Sequence, residues 1–79
     1  MKDRLVPTYL VSENLDAIGW QLNKLFIRFK SGVSYSYEDC PFDHFDALQK
    51  VESAGRHFHK FIRGKFRYTK LDNDPFTID

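Results

Sequence analysis

The second half of the chain contains a run of cations long enough to contact several phosphates. Residues 54–70 hold six lysine and arginine side chains, two histidines and no acidic residue. Clustered Lys and Arg neutralise phosphates and make nucleic-acid affinity strongly dependent on salt. The residues that we predict to contact phosphate in this basic segment are Arg56, Lys60, Arg63, Lys65 and Arg67.

Two other interpretations of the basic segment stay open. Residues 38–52 carry five acidic side chains against Lys50 alone. The basic segment could therefore be a solvated helix face that balances an acidic helix. It could also bind the acidic surface of a partner protein, since complementary charge favours association. The net charge of the chain, +1, does not choose among the three.

Aromatic residues close to further cations suggest base stacking. Tyr35 and Tyr37 share one face of a predicted strand, and Phe26 lies two residues before Arg28 on another. Sheet-based RNA-binding modules present aromatic rings on which bases stack. We predict that Tyr37 or Phe26 stacks a base and that Arg28 adds a phosphate contact. In the alternative, the tyrosines line the core and Phe26 is covered by a terminal segment.

The residues that could ligate a metal or act as a nucleophile do not form a known pattern. The candidates are Cys40, His44, His57 and His59. Their spacings match no zinc motif, and no sequence signature supplies Cys40 with a base. The chain also lacks a glycine-rich phosphate loop and a nucleophile elbow. We therefore predict no catalytic activity, no metal and no cofactor.

Two apolar patterns with a period of two predict the first hairpin. Ile18, Trp20 and Leu22 form one stripe, and Leu25, Ile27 and Phe29 form the next. A two-residue turn at Asn23-Lys24 would set Leu22 opposite Leu25, Trp20 opposite Ile27 and Ile18 opposite Phe29. All six side chains would then face the core, and this agreement supports the register.

The loop of the second hairpin decides which way the tyrosines point. A two-residue turn at Ser31-Gly32 would place them outside the core, but it requires a positive φ at serine. A three-residue loop over residues 30–32 requires a positive φ only at Gly32. We favour this loop, which pairs Ile27 with Tyr35 and Leu25 with Tyr37 and turns both tyrosines towards the core.

Two short helices follow the strands. Phe42, Phe45, Leu48 and Val51 form one apolar stripe after Pro41. Ser53 is a suitable N-cap for a second helix, which turns Phe58, Phe61 and Ile62 inward and ends at Gly64. The predicted fold is α+β, a three-stranded antiparallel β-meander followed by two short helices packed on one face. We expect an N-terminal extension (1–12), one domain (13–70) and an acidic C-terminal tail (71–79).

Three stretches together resemble the KTSC domain family: NLDAIGW, LFIRFKSGVSYSYEDCP and ESAGRHFHKFIRGKF. The resemblance spans about residues 12–68 and rests on the order and spacing of these stretches, since no single motif is specific. Trp20 and Cys40 depart from the residues usual in the family, Tyr and Val. The family takes its name from the C-terminus of some lysyl-tRNA synthetases and also occurs as small stand-alone proteins in bacteria and phages. The resemblance implies no reaction, and it suggests RNA binding from the association with a tRNA synthetase.

We therefore expect a non-catalytic accessory module that binds RNA or another nucleic acid. The alternative is a protein-interaction adaptor, or a phage-type inhibitor that docks on one host protein. The single cysteine fits a reducing compartment, and no apolar run approaches the ~18 residues of a membrane span. We expect a cytoplasmic protein without a membrane partner, as a monomer or weak homodimer.

Overall fold

The structure, a computed structural model, describes residues 5–76 as an α+β fold built on one antiparallel sheet. The sheet has five strands in chain order, not the three predicted. They are β1 (Thr8–Tyr9), β2 (Leu15–Gln21), β3 (Lys24–Phe29), β4 (Ser34–Tyr37) and β5 (Tyr68–Leu71). Between β4 and β5 lie α1 (Phe42–Lys50), α2 (Ala54–His57) and a π-helical segment (Phe58–Ile62) that continues α2.

The two edge strands lie outside the three predicted strands: β1 falls in the predicted N-terminal extension, and β5 lies at the end of the predicted domain and reaches the predicted tail only at Leu71. Strand β1 has only two residues and follows Pro7, so the sequence there shows no alternation of apolar and polar side chains. Strand β5 lies at the end of the basic segment and has one half-buried residue, Leu71, among exposed ones. Edge strands of this kind leave a weak hydrophobic pattern, because only one side of each is paired and little of each is buried.

The first hairpin turns one residue earlier than predicted. Leu22 and Asn23 both have positive φ, 52° and 63°, as a type I′ turn requires. Trp20 therefore pairs with Leu25, and Ile18 with Ile27. The predicted pairs were wrong by two residues. A shift of two keeps each strand side chain on the same face, so the core face was predicted correctly for the other five residues. The prediction for Leu22 was wrong, because it lies in the turn and is 82% exposed.

The second hairpin has the predicted three-residue loop. Gly32 has φ +100°, and the Phe29 N–H donates to the Val33 carbonyl at 2.9 Å. Ile27 pairs with Tyr35 and Leu25 with Tyr37, which confirms the register. Both tyrosines consequently lie on the helix side of the sheet.

The helices cover that side and form the main core. Leu15, Ile18, Leu25, Ile27, Cys40 and Ile62 are fully buried there. Ser53 caps α2, since its hydroxyl accepts the Arg56 N–H at 3.2 Å, as predicted. Phe58 and Ile62 point inward, but the prediction for Phe61 was wrong, because 46% of it is exposed. The wider turn of the π-helical segment places its inward residues four apart and leaves Phe61 outside.

The helix α1 buries less of its stripe than predicted. Leu48 is buried and Phe45 packs partly against the core. Phe42 and Val51, near the two ends, are 49% and 38% exposed. Phe42 instead meets the edge of Trp20, with ring centroids 5.3 Å apart. No helix in residues 5–76 combines the length and the apolar run needed to cross a bilayer.

The opposite side of the sheet is covered by the two ends of the described chain, and we call it the covered face. Leu5 and Phe76 form a parallel bridge. They lie over Gly19, where an added Cβ would approach the Phe76 ring to 2.8 Å and Leu5 to 3.0 Å. Ala17, Ser34 and Phe76 are buried. The sheet is thus enclosed on both sides, by helices on one and by terminal segments on the other.

Candidate nucleic-acid interface

A groove opens between the second hairpin, the helices and β5. Its volume is about 560 Å³, and we call it the aromatic groove. The hairpin contributes Phe29 and Tyr35, β5 contributes Tyr68, and the helical region contributes His59 and Arg63. The other lining residues are Asn14, Leu15, Ser31, Val33, Tyr37, Gly55, Phe58 and Gly64. None of the Asp and Glu residues between positions 5 and 76 lines it.

The rings of the groove support each other by edge-to-face contacts. The centroid of Tyr35 lies 5.8 Å from that of Phe29 and 5.7 Å from that of Tyr68, with interplanar angles of 79° and 86°. Such contacts contribute about 0.5–1.5 kcal/mol each beyond burial. Tyr68 nevertheless remains 59% exposed. The groove therefore presents a positioned tyrosine ring to solvent.

Tyr37 is part of the core, so the prediction that it stacks a base is withdrawn. Only 4% of the residue is exposed, and its ring meets Phe58 edge-on at 5.8 Å. Burial raises the pKa of Tyr37, as do Tyr35 and Tyr68, while the charge of Arg63 opposes the rise. A base would have to displace core packing to reach this ring.

Arg63 reaches the groove because of the π-helical segment. Its N–H donates to the Phe58 carbonyl, five residues earlier, at 2.8 Å. The chain then leaves the helix, since Arg63 is extended and Gly64 has φ +77°. The Arg63 guanidinium donates to His59 Nδ1 at 3.3 Å, so that nitrogen acts as the acceptor. Arg63 is exposed and forms no ion pair with an acid in residues 5–76.

The other four predicted phosphate contacts are also exposed. They do not line the aromatic groove, but they occupy the same stretch of chain as Arg63. Lys60 lies over the Phe61 ring, with Nζ 5.5 Å from its centroid. Within the described part of the chain none of the four forms an ion pair. These four residues are Arg56, Lys60, Lys65 and Arg67.

Arg28 is paired with two acidic residues inside the fold, so the prediction that it contacts a phosphate is not supported. Its side chain is 14% exposed and lies 2.9 Å from Asp16 and 2.5 Å from Asp74. The guanidinium carbon also lies 5.3 Å from the Phe76 ring centroid and 6.0 Å from that of Tyr9. Burial lowers the pKa of Arg28, but hydrogen bonds to Asp74, Asp16 and Tyr9 outweigh burial and raise it.

Phe26 lies on the covered face, away from the aromatic groove. It pairs with Gly19 on one side and Ser36 on the other and is half-buried. The structure thus separates the predicted site residues. Arg63 and Tyr37 are at the groove, whereas Arg28 and Phe26 are on the other side of the sheet.

The sequence reasoning missed Tyr68 and His59 as site residues. The alternation Arg67, Tyr68, Thr69, Lys70 was the available signal, because it is the period-two pattern of a strand. It places Tyr68 and Lys70 opposite Tyr37 and Tyr35 on the helix side. His59 carries no signal of its own, since its place depends on the π-helical segment.

The potential metal ligands and nucleophile do not assemble. Residues 5–76 contain no group of three or more His, Cys, Asp or Glu side chains that could hold a metal ion. His44 and His57 form a pair, with Nδ1 and Nε2 3.2 Å apart. Burial, and secondarily His44, lowers the pKa of His57. Cys40 is fully buried, and burial raises the pKa of its thiol to about 11.

The geometry defines a small α+β domain with a helix-covered antiparallel sheet and one aromatic groove. The chain belongs to the KTSC domain family, because the family's sequence pattern matches residues 11–66. The crystal structure of a KTSC domain protein from Yersinia pestis has the same fold. It aligns with a TM-score of 0.77 at 28% identity, over 85% of this chain and 97% of that one.

Similar segments occur in two kinds of curated relative: over most of one small protein, and over a small part of lysine–tRNA ligases. An uncharacterized protein from Stutzerimonas stutzeri is 33% identical over 66 residues, which is 80% of this chain and 93% of that protein. A lysine–tRNA ligase from Trichormus variabilis is 43% identical over 47 residues, and one from Nostoc punctiforme also 43%. The match covers 60% of this chain but only 8% of each ligase.

Proposed function

We propose that this KTSC domain is a non-catalytic module that binds nucleic acid, and RNA rather than DNA. The observation that carries the proposal is a set of five exposed cations between residues 56 and 67, one of which lines the aromatic groove. Exposed cations next to exposed aromatic rings suit a ligand with phosphates and flat bases. The similarity to part of two lysine–tRNA ligases favours RNA.

The proposal assigns phosphate contacts to residues of the helical region and the loop before β5. The five assigned residues are Arg56, Lys60, Arg63, Lys65 and Arg67. If all five contact single-stranded RNA, the logarithm of affinity should fall with the logarithm of salt with a slope of about −3.5, at ~0.7 per contact. A slope near zero would contradict an electrostatic interface.

Charge reversal tests where the interface lies. Lys60→Glu/Lys65→Glu removes two assigned contacts outside the aromatic groove, and we expect RNA affinity at low salt to fall at least about tenfold. The matched control is Lys24→Glu/Lys50→Glu, which changes net charge equally at exposed positions elsewhere. Fluorescence anisotropy of a labelled RNA measures both. Equal losses in the two variants would mean that total charge, and no particular surface, governs binding.

No chemistry is assigned to the domain. The Cys40 thiol is buried and its pKa of about 11 keeps it protonated at neutral pH. A thiol in that state is a poor nucleophile, because the thiolate is the reactive form.

A protein partner is the second candidate function, favoured by a different surface. A cleft of about 440 Å³ lies between β1 and the connection from α1 to α2, and the exposed Val11 and Val51 line it. Exposed apolar side chains of this kind suit a protein surface. One partner bound at fixed stoichiometry after nuclease treatment, and lost in Val11→Asp, would favour this function over RNA binding.

A further inference from the structure

The aromatic groove combines a ring for stacking with a cation for a phosphate. Tyr68 is held by Tyr35 at 5.7 Å and by Tyr37 at 6.1 Å between ring centroids. It is still 59% exposed, so much of its surface is open to a ligand. Arg63 lines the same groove.

The dimensions of the groove suit a single nucleotide. A volume of about 560 Å³ falls within the ~300–1,000 Å³ typical of small-ligand sites. A paired base inside a duplex exposes only its edges, so it cannot lay a face on Tyr68. RNA-binding proteins with sequence preference mostly recognise unpaired bases for this reason.

The electrostatics of the groove favour an anion. Arg63 is the charged side chain among its lining residues, and within the described part of the chain no acid lines it. Lys70 adds a further cation on the same side of β5, opposite Tyr35. The Asn14 amide at the groove offers donors and acceptors to a base or sugar.

We propose that the aromatic groove binds one unpaired nucleotide of RNA, with the base against Tyr68 and the phosphate at Arg63. This inference rests on the proposed function, since it names the part of an RNA that the domain would hold. It requires single-stranded RNA to bind better than duplex RNA of the same length.

The test compares three probes of equal length: a short oligouridylate, a blunt-ended RNA duplex and an abasic oligoribonucleotide. Loss of one stacked base at a partly exposed ring should weaken oligouridylate binding by Tyr68→Leu about 5- to 10-fold. Tyr68→Phe keeps the ring and should bind within about twofold of wild type. Abasic binding should not change in Tyr68→Leu, whereas Arg63→Gln should weaken both single-stranded probes.

Tyr9→Leu is the matched control, because Tyr9 is 63% exposed and lies on β1, away from the groove. It should leave oligouridylate affinity unchanged. Thermal melts of each variant verify that folding is intact.

Two outcomes overturn the groove assignment while leaving a nucleic-acid module in place. One is salt-sensitive RNA binding that Tyr68→Leu does not weaken. The other is duplex binding as tight as oligouridylate binding and equally sensitive to Tyr68→Leu. Absence of binding to all three probes at low salt would instead overturn the proposed function, and with it the groove assignment.

Discussion

Arg28 and Arg63 are two arginines near tyrosines on opposite sides of one sheet, and their neighbours give them different roles. Arg28 lies between Asp16 and Asp74 on the covered face, with both carboxylates within 2.9 Å. Arg63 has no acidic partner within residues 5–76, and its nearest polar side-chain contact is His59. The charge of Arg28 is neutralised inside the fold, whereas that of Arg63 is available to a ligand.

The comparison shows that an arginine beside an aromatic ring is not by itself a binding signal. In the sequence, Arg28 follows Phe26 and precedes Phe29, which gives it the more suggestive surroundings. The distant Asp74 and Phe76 change that interpretation, because the terminal segment brings them onto the covered face. Asp74 is 46 residues away in the chain, so this partner leaves no local trace in the sequence.

Replacing Arg28 should give the largest change in stability. Arg28→Met leaves Asp16 and Asp74 close together without their cation. Removing one partner of a buried pair costs about 3–5 kcal/mol, and we expect about 2–3 kcal/mol here because both carboxylates keep some solvent contact. Arg63→Met should change the free energy of unfolding by less than about 0.5 kcal/mol. Urea denaturation measures both, and similar losses in the two variants would contradict the contrast.

Two glycines, one on the covered face and one at the groove, allow the packing of the two sides of the sheet to be compared. Gly19→Ala on the covered face places a Cβ 2.8 Å from Phe76 Cε1, and such overpacking costs about 1–3 kcal/mol. Gly55→Ala at the groove meets Asn14 at an ordinary contact distance of 3.7 Å and should stabilise the helix by up to about 1 kcal/mol. The unfolding temperature should therefore fall in Gly19→Ala and rise in Gly55→Ala. A Gly19→Ala protein as stable as wild type would mean that the terminal segments pack loosely.

The smallest expected effect is a pH dependence of stability that arises from His57, in the helix layer beside the groove. Burial and His44 hold the pKa of His57 below its unfolded value, so the unfolded chain binds more protons in mild acid. The stability contributed by neutral His57 is complete above about pH 6.5 and declines as the pH falls through that value to the folded pKa. His57→Gln should reduce the loss of stability between about pH 7 and 5. His44→Gln should reduce it less, since burial remains, and an unchanged slope in both would contradict the assignment.

The register of the second hairpin was predictable because one residue type decided it. Gly32 alone had to adopt a positive φ, and this fixed Tyr35 and Tyr37 on the helix side. The first turn was not predictable in the same way, because Leu22 adopts a positive φ that its residue type disfavours. The alternating pattern still gave the correct face, since it does not depend on which of two turn positions is used.

The candidate site was predictable in charge but not in shape. The exposed cations follow from composition, since an acid-free run of lysines and arginines has few local partners. The groove depends on β5 and on the one extra residue in the turn of the π-helical segment. Both arise from tertiary packing. The alternation around Tyr68 is a signal of a strand but only four residues long, and His59 belongs to no pattern at all.

The parallel bridge between Leu5 and Phe76 also has a consequence for how this domain can be joined to other polypeptides. The two residues lie side by side on the covered face, on the far side of the sheet from the aromatic groove. A linker leading from either one would start behind the sheet, so an attached domain could be tethered without blocking the groove. The same proximity makes the fold suitable for circular permutation, with a short peptide joining the neighbourhood of residue 5 to that of residue 76 and new ends placed at an exposed loop that does not line the groove.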